Sequence, residues 1–245
     1  MYKEKTVSIV FATYREKDSI RMVIENFFNT GFVDEVIVVN NNAEPGTVEE
    51  IQKTKARMVY EKRQGYGHAF QRGMEEAKGD YIFLCEPDGT YTGKDLERFL
   101  VYAQDGFEAV LGSRTGQSTK ISGADMDFLR KFANVFEAKT IEYLFNTNSL
   151  SDIGCTYKLF TKAGINKIAP LWRTRNSLFA TELVLLTAAK KIHFIEIPVT
   201  FKKRVGTSTF VSTFAKMAKW GLRIYAFIFI FWFRWIFRKI FSKNA

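Results

Sequence analysis

Between Thr6 and Arg114 short apolar runs alternate with longer helical segments, and this alternation narrows the possible folds more than any other feature. "TVSIVFA" (6–12) reads as a buried strand, and "REKDSIRMVIENFFNTG" (15–31) as a helix closed by Gly31. "VDEVIVVNNN", "ARMVYEK", "DYIFLCE" and "FEAVLGSR" supply four further strands. The segments "TVEEIQKTK", "GHAFQRGMEEAKG" and "GKDLERFLVYAQDG" between them read as helices. Strand and helix in alternation predict an α/β fold built on a mostly parallel, doubly wound sheet flanked by helices. In such sheets ligands bind outside the carboxyl ends of the strands. Here those ends carry "ATYRE", "NNN", "EPD" and "GSR", which should converge on one edge.

After Arg114 the pattern loosens. "GQSTKISGADMD" reads as a loop, "FLRKFANVFEAKTIEYLFN" as a long amphipathic helix, "SDIGCTYKLF" as a strand and "FATELVLLTAAKK" as a helix. "HFIEIPVTFKKRVGTSTF" reads as an edge strand, because Pro198 cannot donate to a ladder, followed by a basic loop. Two cysteines, Cys85 and Cys155, lack metal-ligand spacing and read as buried free thiols of a reducing compartment. The first apolar run is too short for a signal peptide, so the folded part is expected in the cytoplasm.

Glu86 and Asp88 follow a strand and precede Gly89. Two carboxylates so placed suit a hard divalent cation, Mg2+ or Mn2+, whose shell is completed by substrate phosphates. A solvated turn would carry the same residues. Gly65 and Gly67 precede a helix, but Phe70 stands where a dinucleotide fingerprint needs its third glycine; close backbone approach or a flexible turn accounts for both glycines. His68 reads as helix-start packing and His193 as structural. The formal charge of +10 points to an anionic partner, a phosphorylated substrate or an acidic membrane surface. No nucleic-acid-binding module accompanies it, so a nucleic-acid partner is not expected.

These motifs, in this order, resemble family 2 glycosyltransferases of the GT-A (Rossmann-like) fold, in the branch that acts on dolichyl and polyprenyl phosphates. "SIVFATYREKDSI" is similar to the family's nucleotide-facing turn, which implies donor binding by Ala12, Tyr14 and Glu16; Ala12 replaces a usual proline and Arg15 an asparagine. "DEVIVVNNNAEPGT" resembles the strand end that reads the nucleobase, with Asn40 and Asn41 where aspartates are usual. "GYGHAFQRGMEEAKGDYIFLCEPD" resembles the helix leading into the Asp-x-Asp metal motif. The resemblance implies that Gly67 and Glu86 contact the donor and that Glu86 and Asp88 hold the metal, with Thr90 where some relatives offer a further ligand. "VLGSR" and "EIPVTFKKRVGTSTF" imply acceptor-phosphate binding by Arg114 and Arg204, joined by Arg130 on the next helix. Asp152 in "SDIGCTYKLF" is implied as a base or an acceptor-positioning group, so the implied catalytic set is Asp152, Arg204 and Asp88.

The implied reaction moves a sugar, with inversion, from a GDP- or UDP-linked donor to a polyprenyl phosphate; a hydroxyl acceptor or a non-catalytic nucleotide-sugar-binding protein are the alternatives. Residues 1–212 would form the catalytic domain and 213–245 a separate amphipathic helix. In "KMAKWGLRIYAFIFIFWFRWIFRKIF" the basic residues Lys216, Lys219, Arg223, Arg234 and Arg238 fall within an arc of roughly 100° on a helical wheel. That pattern predicts a helix lying peripherally or shallowly in the cytoplasmic face of a membrane. Packing on the core or in a homo-oligomer interface would use the same apolar residues.

Overall fold

The computed structural model describes residues 2–116, 120–122, 128–206 and 214–241. Its elements in chain order are β1 (Val7–Thr13), α1 (Lys17–Phe28), β2 (Glu35–Asn40), α2 (Thr47–Gln52), β3 (Arg57–Tyr60), α3 (Tyr66–Glu76), β4 (Tyr81–Cys85), α4 (Leu96–Gln104) and β5 (Ala109–Ser113). There follow β6 (Lys120–Ser122), α5 (Phe128–Phe145), β7 (Lys158–Thr161), α6 (Lys162–Ile168), α7 (Phe179–Ala189), β8 (Phe194–Pro198), β9 (Thr200–Lys202) and α8 (Phe214–Phe241).

The main sheet has the order β3-β2-β1-β4-β7-β5-β8. β1 pairs in parallel with β2 and β4, and β5 with β8, while β7 runs antiparallel to both β4 and β5. The carboxyl ends of β1, β2, β4 and β5 therefore share one edge, as the alternation predicts. Because β7 is reversed, the loop that enters it, residues 151–157, reaches the same edge. β8 is the edge strand expected for a segment carrying Pro198. β9 leaves the main sheet and pairs in parallel with β6. A short strand thus stands inside the segment expected to be a loop; residues 117–119 and 123–127 of that segment lie outside the described residues.

Side-chain alternation along the strands sorts two cores. Val10, Ile37, Val39, Ile82 and Leu84 face the layer of α3, α5, α7 and α8. Ile9, Phe11, Val36, Val38 and Phe83 face the layer of α1 and α4. In the second core the Tyr157 ring lies 4.4 Å from Phe83 and 5.0 Å from Phe99 in edge-on contacts, the arrangement aromatic quadrupoles favour. The unexpected element is α6. It holds seven residues, too few for a periodic signal, and starts where Thr161 Oγ1 accepts from the Gly164 amide at 3.0 Å.

α8 packs on the first core. Ile228 is fully buried, and Ile224, Phe231, Trp232 and Trp235 lie against the same cluster. Trp232 Nε1 donates to the Leu144 carbonyl of α5 at 3.1 Å, and Tyr225 and Thr140 share a hydroxyl hydrogen bond of 2.9 Å. The boundary expected at 212/213 falls outside the described residues, and one face of the helix beyond it is spent on the core. Among the described residues no helix is long and apolar enough to cross a membrane.

Replacing Ile228 by Ala opens a cavity under α8, and chemical denaturation should show a loss of about 2–4 kcal/mol. An unchanged midpoint would mean that α8 does not share the core.

Candidate functional site

Asp88 ends the turn after β4 and is buried. Its Oδ1 accepts from the Thr90 amide at 2.9 Å and the Thr90 hydroxyl at 2.6 Å. Its Oδ2 lies 3.0 Å from Arg204 Nη1. Arg204 also donates through Nη2 to Glu16 Oε1 at 3.0 Å. The other Glu16 oxygen caps the β1 turn, accepting from the amides of Tyr14 at 2.7 Å and Arg15 at 2.9 Å. One guanidinium thus joins carboxylates from the ends of two parallel strands. Backbone bonds deliver it there: Lys202 N donates to Thr90 O at 2.8 Å and Val205 N to Asp88 O at 2.9 Å. Gly89 adopts φ +79°, the left-handed region that favours glycine, which lets the turn close beneath Val205.

Glu86 is partly buried, and its carboxylate accepts no hydrogen bond from the described residues. Burial, then the nearby Asp88 charge, push its carboxyl above the usual carboxylate range, against the opposing pull of Arg204 and Arg114.

Arg114 and Asp152 form a second arrangement at the end of β5. Arg114 Nε and Nη2 donate to the two Asp152 oxygens at 2.8 and 2.9 Å, and the Arg114 amide adds a bond of 2.9 Å. Asn134 Nδ2 at 2.5 Å and the Gly154 amide at 3.1 Å complete the shell. Burial alone would raise the Asp152 carboxyl, but the Arg114 charge and these hydrogen bonds outweigh it and hold it below its usual value. Arg114 Nη1 has no hydrogen-bond partner among the described residues, and the guanidinium lies 5.6 Å over the Phe201 ring. Arg130 is exposed near the start of α5, where its Nε contacts Met217 Sδ at 3.2 Å. It stands one turn, about 6 Å of helix, before Asn134.

At the β2 end the two asparagines differ. Asn41 is fully engaged: Nδ2 donates to the carbonyls of Glu61 and Arg63 at 2.7 and 2.9 Å, and Oδ1 accepts from the Gly65 amide at 2.8 Å. It staples the 61–65 loop and keeps no group for a ligand. Asn40 accepts from the Ala43 amide at 2.9 Å through Oδ1, and its Nδ2 has no partner among the described residues. Tyr14 is exposed, with Arg15 over its ring at 5.1 Å, while Ala12 packs in the first core. Gly67 is explained by close approach, since a Cβ there would lie 2.8 Å from the backbones of Thr174 and Arg175. His68 donates its amide to the Arg175 carbonyl, and His193 stacks on Phe107 at 4.2 Å. Both cysteines are buried and free.

Sequence reasoning passed over Asn134 and Glu196. Glu196 accepts from the Ser151 and Asp152 amides at 3.0 and 2.9 Å and orders the loop that presents Asp152. An acid inside the apolar run "FIEIP" was the visible signal.

Residues 8–167 match the model of the family described as Glycosyl transferase family 2. The dolichyl-phosphate beta-glucosyltransferase of Saccharomyces cerevisiae is 24% identical, over 89% of this chain and 73% of its own. A dolichyl-phosphate hexose transferase of Haloferax volcanii is 23% identical over 84% and 86%. Among solved structures, glucosyl-3-phosphoglycerate synthase from Mycobacterium tuberculosis, in complex with Mn2+, uridine-diphosphate-glucose and phosphoglyceric acid, superposes with a TM-score of 0.69. At 16% identity, over 94% of this chain and 80% of that one, this likeness bears on the fold, which is the GT-A arrangement expected.

Asp152 gives a pH signature. Its folded-state pKa is depressed, so the unfolded chain binds more protons in that window; the stabilisation is complete above the usual value of 3.8 and fades as pH falls through the lowered one. Asp152→Asn should therefore destabilise the fold near neutrality by about 3–5 kcal/mol, because Arg114 loses its partner. The gap to the wild type should narrow in acid, as read by denaturation at stepped pH.

Proposed function

The chain belongs to glycosyl transferase family 2 and is a glycosyltransferase, and from that premise we propose that it moves a sugar from a nucleotide-sugar donor, UDP- or GDP-linked, to a polyprenyl phosphate. The observation that carries the acceptor assignment is the state of Asp152. A hydroxyl acceptor must lose a proton to a base. Asp152 is ionised, buried and surrounded by donors from Arg114, Asn134 and Gly154, so it makes a poor base. A phosphate monoester, with a second pKa of about 6, needs none near neutrality. What it needs is cationic donors, and Arg114 offers its Nη1 group from a guanidinium that Asp152 holds in place. Arg130 stands on the same side of α5 as Asn134 and supplies a second cation. Asp152 is then a positioning residue.

The donor side rests on Glu16, Glu86, Asp88 and Arg204, with Asn40 presenting an amide donor towards a base carbonyl. Glu16, Glu86 and Asp88 bring three carboxylates to Arg204, a negative set that suits a divalent cation, although no three of the described His, Cys, Asp and Glu residues are already grouped to hold one. The oxygen-only donor set fits Mg2+ or Mn2+: the carboxylate of Glu86 accepts no hydrogen bond from the described residues, and that of Asp88, now held by Thr90 and Arg204, stands two residues on. When bound, the cation supplies Lewis-acid stabilisation of the departing diphosphate. The phosphate oxygen attacks the anomeric carbon as the bond to the diphosphate breaks, through an oxocarbenium-like state, with inversion. Arg204, between Glu16 and Asp88, lies where negative charge grows on the leaving group and stabilises it there. We further propose that the enzyme works peripherally at the cytoplasmic face of a membrane, through α8.

Radiolabelled UDP-glucose or GDP-mannose, polyprenyl phosphate and Mn2+ should yield a lipid-linked sugar. Asp88→Ala should lower kcat by about 10²–10³-fold, and Arg114→Lys should raise the acceptor KM about tenfold with little change for the donor. Glycosylation of a hydroxyl glycolipid, with no product on the phosphate from any common donor, would favour the alternative acceptor.

A further inference from the structure

The transferred sugar must lie between the diphosphate it leaves and the phosphate it joins, so groups between Arg204 and Arg114 face it. Glu86 is one such group, since both guanidiniums act on its carboxyl. The antiparallel ladder of β4 and β7 pairs Ile82 with Phe160 and Leu84 with Lys158. Continued past the strand ends, that register sets Glu86 opposite Thr156. Side chains alternate along a strand, so both emerge on the face of Leu84, the face that α3 covers.

The first residue of α3 reaches the same place. Tyr66 packs its ring on Phe70 at 4.7 Å and donates its hydroxyl to Thr156 Oγ1 at 3.2 Å. Thr156 is only 6% exposed. Its own hydroxyl proton finds no acceptor among the described residues, just as the Glu86 carboxylate finds no donor. Burial, then the Glu86 charge, push the Tyr66 hydroxyl well above its usual pKa, so it stays a neutral donor near neutrality. Tyr66 therefore orients the Thr156 hydroxyl: one lone pair is taken, and the proton is left for a ligand.

We propose that Thr156, oriented by Tyr66, and Glu86 recognise one hydroxyl of the donor sugar, and so select hexoses that keep that hydroxyl unmodified. This rests on the nucleotide-sugar reading above and narrows the sugars it takes. A hydroxyl both accepts and donates through one oxygen. Here it would accept from Thr156 and donate to a Glu86 oxygen. That completes a relay from Tyr66 through Thr156 and the sugar to Glu86, in which each bond polarises the next. A deoxy sugar would leave the Thr156 donor buried without an acceptor, which is penalised more than the hydrogen bond itself is worth. An O-alkyl group lacks the proton for Glu86, and the nitrogen of an N-acetyl group cannot accept from Thr156. The second Glu86 oxygen remains for the cation, so the two roles do not compete.

Calorimetry on the full chain with Mn2+ tests this without any acceptor. The probes are UDP, UDP-glucose and its singly deoxygenated analogues, with the GDP-mannose series in parallel and the tighter series read. Thr156→Val removes the hydroxyl and keeps the shape; it should weaken the nucleotide sugar about tenfold and leave the bare nucleotide within about twofold of wild type. Thr156→Ser, which keeps the hydroxyl, should restore binding, and Tyr66→Phe should cost about threefold. One deoxy analogue should bind the wild type about tenfold more weakly than the parent sugar, and Thr156→Val should bind the two alike. Equal losses for the nucleotide and the nucleotide sugar would mean that Thr156 only holds its loop, and would overturn the proposal. So would a Val variant that binds the parent sugar as the wild type does, or one that still rejects the same deoxy analogue. If neither series binds, the nucleotide-sugar reading falls and the hydroxyl site with it. If the donors bind and discriminate but no lipid-linked product forms, the acceptor reading falls and the hydroxyl site stands.

Discussion

One guanidinium closes the carboxyl edge of the sheet. Arg204 bridges Glu16 at the end of β1 and Asp88 at the end of β4, and its own segment is anchored by backbone bonds to Thr90 and Asp88. Parallel strands that end together bring their terminal acids together, and without a cation between them those acids would repel or take up protons. Burial, and after it the Asp88 charge, raise the Glu86 pKa even with Arg204 in place. Arg114 acts differently. It is held by both oxygens of one buried carboxylate, a geometry that fixes the guanidinium plane and leaves Nη1 without a partner among the described residues. One arginine balances charge between the ends of β1 and β4; the other is a fixed fork at the end of β5.

The strands were readable because their apolar runs are buried on both faces and stop at polar residues. Their convergence followed from parallel order alone. The reversal of β7 was not readable, since an apolar run has no direction, yet that reversal brings Asp152 to the site. Residue roles split along a similar line. Glu16, Asp88, Arg114 and Arg204 carry charges that must find partners, so motif context marked them. Asn41 and Gly67 sit in the right segments but serve the backbone: Asn41 staples a loop, and Gly67 makes room for Thr174 and Arg175. Lys158 shows the limit well. It reads as one charge in the strand "TYKLF", yet it is fully buried, its Nζ donates to the Cys155 carbonyl, and burial lowers its pKa.

The tail was half legible for a geometric reason. A helical wheel separates basic from apolar faces, but cannot divide the apolar circumference into the part a neighbour covers and the part left exposed. In α8 that division depends on α5, more than seventy residues earlier in the chain. Membrane docking and core packing, which stood as alternatives for this segment, are compatible because they use different arcs of the same helix.

The positive net charge raises a last point, because the site itself is rich in carboxylates. An anionic partner inferred from composition need not meet the excess charge at the carboxyl edge of the sheet. α8 carries basic residues and not a single acid, whereas the arginines at the sheet edge are already paired with acids. The exposed positive charge of α8 and the paired charges at the sheet edge are therefore built from different residues. Salt screens exposed charges far more than buried ones. Raising ionic strength would thus weaken attraction along α8 while leaving the Arg114–Asp152 fork intact, which makes the two contributions separable in one molecule.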